Sequence, residues 1–236
     1  MSSDTPSFYD FAKPFFDQLA DDLLEDGFGN EAEEVRNILI DPKKRVQGWN
    51  EMVLTVPKEF PTISHKKLPT LTATTVKSIL KSIEKIEELS SEGKEYYDKF
   101  EKLQRKLTNS FLKWLDLLED RHINKKLVGP GFVIEIFIDF VLNYEGEFES
   151  SLLYSESFLC SHFIRKTWAE DKTYLWAPFS LYYFFVFLNI HKIIDDISFN
   201  QALESLIEIK DQYYTFYGRY INPNESESVL EDMMFL

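Results

Sequence analysis

Four short clusters in this chain hold residue types able to do chemistry. His191 and Asp195 stand four residues apart. On one helix face such a pair would ligate a metal or act as an acid–base couple. It lies where a long apolar run meets charge, a natural edge for a pocket. The favoured reading is plainer: a helix C-terminus, where His191 and Lys192 suit the dipole and Asp195-Asp196 leads into the next helix. Glu135 and Asp139 have the same spacing inside an apolar run, with no Lys or Arg between residues 127 and 164. If both faced a core, one would hold its proton and serve as a general acid. Buried acids are rare, which favours a narrow wet stripe instead. Glu119 and His122 make one E-x-x-H, but a di-metal bundle needs two such pairs and two further carboxylates, so a solvated helix end is expected. Cys160 and His162 are two apart, which on a helix turns them to different faces.

No short motif completes any of these. The chain lacks the glycine-rich dinucleotide and phosphate loops, the G-x-S-x-G elbow, the H-E-x-x-H zinc helix and any cysteine cluster. We therefore expect no catalytic residue, no cofactor and no metal. The alternative is a helical enzyme, or a small-molecule or metal binder, with an aromatic-lined pocket near His191 and Asp195 that draws on Glu135, Asp139 and His162.

The elements that would position these residues read as all-α. The chain has 236 residues, with 21 Phe and 12 Tyr but only 8 Gly, and few glycines leave few tight turns. Phe8, Phe11, Phe15, Phe16, Leu19, Leu23 and Leu24 recur at helical spacing. Asn30 reads as an N-cap before Glu31, Glu33 and Glu34, so residues 1–48 are expected to form a helical hairpin. Four prolines interrupt residues 42–72, where we expect an irregular arm or linker over 49–72, with at most one short strand around Met52–Val56. A bundle is expected over 73–221. Within it Tyr96, Phe100, Leu103, Leu107, Phe111, Trp114 and Leu118 keep nearly a coiled-coil rhythm. Residues 132–142 suit helix or strand, and the flanking helices favour helix. A further helix is expected from Phe148 to Trp168. Ser198 is expected to open the last helix, with Gln201 at capping-box spacing. Residues 222–236 read as a flexible acidic tail.

One stretch decides between a membrane and a core. Tyr174 to Ile190 holds seventeen residues without a charge. A spanning helix needs about 20, and Pro178, Ser180 and Asn189 interrupt this one. A helix apolar all round is the central helix of a core, and that is the expectation here.

Charge bounds the partners. The net charge is −14. Residues 1–41 carry eleven acids against two bases, while residues 42–85 carry nine bases against three acids. An acidic chain is a poor ligand for nucleic acid or anionic membrane. One cysteine permits no internal disulfide, and the N-terminus has no secretory pattern, so a cytoplasmic location is expected. These features lead to a soluble, non-catalytic interaction protein of inhibitor, immunity or adaptor type. Its partner would be a protein with a basic surface, and Glu31, Glu33, Glu34, Glu145, Glu147 and Glu149 would be the contact residues.

Overall fold

The computed structural model describes residues 8–29, 31–32, 42–61, 68–88, 94–118, 127–142, 148, 154–167 and 169–222. These include eight α-helices and a seven-residue π-helical segment, with no strand among the described residues. The all-α reading is correct, and residues 130–140 are helix. Among the described residues the chain divides into two compact units. One holds those up to Thr55 and those from Phe216 on; the other holds Val56–Thr215.

In the first unit, α1 runs Phe8–Glu25 and continues through Pro14 without a break. It ends in a Schellman motif. Phe28 N–H donates to Leu23 O at 2.8 Å, Gly27 N–H donates to Leu24 O at 3.1 Å, and Gly27 takes the left-handed φ of +86° that this cap needs. The second arm of the expected hairpin lies mostly outside the described residues. Helix α2 then spans Pro42–Val53. This corrects the expectation of an irregular arm beginning at residue 49 with a strand near 52–56. Pro42 is the first helical residue, where a missing N–H costs nothing, so it opens a helix. Trp49 anchors α2: it is buried, and its ring lies 4.5 Å from that of Tyr217, whose hydroxyl accepts from Arg45 at 3.1 Å. Gly218 makes room, since a Cβ there would stand 3.2 Å from Trp49 Cδ1.

The second unit is built around α7, Asp171–Ile190. Every residue from Thr173 to Asn189 is buried. By length and composition this helix is able to cross a membrane, but 94% of its apolar window is buried inside the protein, as expected of a core helix. Helix α3 (Ala73–Glu87) packs on α4 (Lys94–Asp116), α4 on α5 (Pro130–Phe140), and both α4 and α5 on α7. The seven residues in the coiled-coil rhythm of α4 and its end are all buried. Phe184 of α7 meets Phe111 edge-on at 5.4 Å and Phe137 at 6.3 Å.

Two local features depart from the expected helices. The helix expected from Phe148 is instead described from Ser155 to Lys166, and its centre, Ser157–Phe163, is π-helical, ahead of the short α6 (Ile164–Lys166). The wider turn buries Phe158, Leu159, Cys160 and Phe163, with Phe158 4.9 Å from Phe137. The last helix, α8 (Asp196–Tyr220), is capped by Asp195, not Ser198: Asp195 Oδ1 accepts from Ser198 N–H at 2.7 Å. An aspartate one residue before a helix outcompetes a serine inside its first turn.

Inside α7, Pro178 removes the N–H that would bond Tyr174 O. Tyr213 of α8 replaces it, donating its hydroxyl to Tyr174 O at 2.9 Å, and Tyr214 donates to Leu175 O at 3.0 Å. The proline-rich segment from Val56 is held by side chains in the same way. Lys210 donates to Pro57 O and Lys58 O, Tyr182 to Pro61 O, and Trp114 Nε1 to Pro69 O at 3.0 Å.

Candidate functional site

The residues singled out for chemistry are placed by these elements, and the structure does not gather them. His191 follows the end of α7, and Lys192 after it takes a φ of +54°. Ile193 N–H donates to Leu188 O and Lys192 N–H to Asn189 O, a second Schellman cap. The chain therefore turns between His191 and Asp195, and the two do not share a helix face. Each also has a structural role. His191 Nε2 accepts the Leu71 N–H at 2.8 Å, and its Nδ1 donates to Phe187 O at 2.7 Å, which fixes a neutral Nδ1–H tautomer. Asp195 is exposed, and its bonds from Ser198 hold its carboxyl below the usual carboxylate range.

His191 gives a titration with a definite sign. Burial holds its pKa below the ordinary value, against an opposing push from the Phe187 carbonyl. A histidine lowered in the fold contributes stability that is complete above the unfolded value, about 6.5, and is lost as pH falls from there through the folded value. The melting temperature should therefore drop between pH 7 and pH 5.5. His191→Gln keeps an acceptor and cannot titrate, so its drop should be shallower. An equal drop in both proteins would show that His191 is not the group responsible. His162 adds a slope of the same sign in both, because burial lowers its pKa too.

Glu135 is exposed and Asp139 half-buried, so the two do not form a buried acid pair. Gln104 donates instead to the Glu135 main-chain carbonyl at 2.8 Å. Asp139 acts on two groups from other elements. Its charge pulls His162 upward against burial and adds to the upward shift of Tyr96, which burial dominates. His162 lies 5.0 Å from the Phe140 ring, and Tyr96 donates to Leu142 O at 3.1 Å. Cys160 is fully buried, and burial with Glu156 nearby pushes its thiol up to about 12, the opposite of what a nucleophile needs. Glu119 and His122 lie outside the described residues. Among those described, no group of three His, Cys, Asp or Glu residues is placed to hold a metal ion.

Of the expected contact residues, Glu31 is described and exposed; Glu33, Glu34, Glu145, Glu147 and Glu149 lie outside the described residues. Sequence reasoning missed the acidic face of α1 as a contact surface. Asp17, Asp21, Asp22, Glu25 and Asp26 are all exposed along it. The face opposite holds buried Ala20 and half-buried Phe16 and Leu23. Apolar side chains edge the acids: Phe15 is 67% exposed, Leu19 38% and Leu24 45%, and Phe28 beyond the cap is 52% exposed. The signal is present in the sequence, since Phe15 and Leu19 fall outside the Phe16–Ala20–Leu23 stripe. The chain matches no family model, no curated protein and no solved structure.

Proposed function

We propose that the protein acts by binding a basic protein partner, without catalysis, through the acidic face of α1. The observation that carries this reading is the composition of that face: a row of exposed acids edged by exposed Phe15, Leu19, Leu24 and Phe28. Solubility alone calls for the acids and not for the large apolar side chains beside them. Charge sets the partner's sign, since the chain carries −14 overall. Complementary charge guides encounter over about 8 Å at physiological salt, and apolar contacts then hold the complex. The roles of His191, Asp195 and Cys160 support binding over chemistry, because their reactive atoms are engaged in the fold or buried.

The test uses an amphipathic helical peptide of lysine and leucine, a scrambled control, and surface plasmon resonance at two salt concentrations. The helical peptide should bind better than the scrambled one, and at least about tenfold more weakly at 150 mM than at 20 mM salt. Reversing Asp21, Asp22 and Glu25 to lysine should mainly slow association. Phe15→Ser with Leu19→Ser should mainly speed dissociation. Equal binding of both peptides, or an association rate untouched by the reversal, would refute the proposal.

A further inference from the structure

Between α7, α8 and the segment after Val56 lies a cleft of about 530 Å³. Small-molecule pockets run from roughly 300 to 1,000 Å³, so this one has room for a single compact ligand. Helix α8 supplies Phe199, Leu203 and Ile207 at four-residue steps, and α7 supplies Tyr182 and Val186 at the same step. Phe60 and Pro61 close the third side, with the Phe60 ring stacked 4.8 Å from Tyr182 at an interplanar angle of 11°. This part of the wall is therefore apolar, with three aromatic side chains, Phe60, Tyr182 and Phe199. It contains none of Glu135, Asp139, His162, His191 or Asp195.

The polar end is one helical turn further along α8. Lys210 lines the cleft and is only 5% exposed. Its ammonium donates to Pro57 O and Lys58 O and lies 5.4 Å above the Phe60 ring and 5.9 Å above that of Phe179. An ammonium has three donors. Asp211 Oδ1 is 3.9 Å away, too far for a hydrogen bond. Asp211 is thus a long ion-pair partner whose carboxylate stays in water, and a lysine this buried is uncommon without a close anion; burial holds its pKa below the usual lysine value, against the pull of Asp211 and Glu59. The other charges at this end are in water. Asp211 has a side chain 92% exposed, Glu59 and Lys58 are exposed, and their fields are screened. The desolvated cation therefore dominates what the cleft selects.

We propose that this cleft binds a small molecule made of an apolar body and a carboxylate, with the carboxylate on the Lys210 ammonium. The body lies along Leu203, Ile207, Val186 and Phe60. The anion takes up the remaining donor of Lys210 and balances its charge inside a low-dielectric wall. This site shares no residue with the acidic face of α1, and neither proposal needs the other.

Isothermal titration with three ten-carbon probes, below their aggregation range, tests it: decanoate, decanol and decylamine share one body and differ in the head. Decanoate should bind one per chain, at least about tenfold tighter than decanol, with decylamine weakest. Leu203→Trp fills the cleft and should abolish binding of all three while the helical circular dichroism is kept. Lys210→Met should reduce decanoate to the affinity of decanol and leave decanol itself within about threefold. No binding of decanoate, decanoate no tighter than decanol, or full binding by Leu203→Trp would each overturn the proposal. Should Lys210→Met fail to fold, the head-group comparison in the unaltered protein and the Leu203→Trp result decide it.

Discussion

Replacing Phe184 by alanine should destabilise the protein by about 3–5 kcal/mol, a drop of roughly 6–20 °C in melting temperature for a chain of this size. Phe184 is fully buried on α7, 5.4 Å from Phe111, 6.3 Å from Phe137 and stacked 6.1 Å from Phe187. Truncation removes its transfer energy and leaves a hole among rings on three helices. Those rings are fixed by their own neighbours: Phe137 by Phe158, and Phe111 by Trp114. The site therefore collapses poorly, and the cost falls in the upper part of the range for core truncations. Thermal unfolding followed by circular dichroism reads it, with Phe132→Ala as control, since Phe132 is 37% exposed. Equal losses in the two variants would show that α7 is not the centre of the core.

Trp49→Ala should be comparably costly, at about 3–5 kcal/mol, but its effect should be local. Trp49 is the large buried side chain of α2, packed on Tyr217 and over the bare Cα of Gly218. Both partners belong with α2 to the first unit. Native-state hydrogen exchange should show α2 and the end of α8 losing protection while α5 and the middle of α7 keep theirs. Uniform loss over both units would mean that they unfold as one.

Some of this was legible in the sequence, for reasons that differ by element. The buried face of α4 could be read residue by residue from Tyr96 to Leu118, because a regular period records which side meets the core. Helix α7 could be read because a run without a charged side has no wet face to offer. The segment after Val56 could not. Its carbonyls are bonded by Lys210, Tyr182 and Trp114, residues 45 to 153 positions away, and such pairing leaves no local pattern. Pro42 was taken for a breaker because a proline at a helix start looks the same as one after a helix end. The favoured reading of His191 and Asp195, a helix end leading into the next helix, holds, and the alternative, a pairing on one face, is ended by a single residue. Its spacing presumes a continuous helix, and Lys192 ends that helix in a left-handed conformation with no glycine to announce it. The cleft was invisible for the same reason as the segment that closes it: α7, α8 and residues 58–61 meet there, and no local spacing links them.

The link between Pro178 and Tyr213 constrains how this sequence can change over generations. The proline deprives Tyr174 O of its helical donor, and the hydroxyl of Tyr213 replaces it. While the proline stays, losing that hydroxyl takes a hydrogen bond from a buried carbonyl, a cost of about 0.5–1.5 kcal/mol in a fold whose whole margin is only several times larger. If the proline is first replaced by a residue with an N–H, the carbonyl regains its own helical bond and the tyrosine is released from its duty. The two sites therefore admit one order of substitution and resist the other. A lineage that has acquired both residues is held to them by the sequence of steps needed to leave.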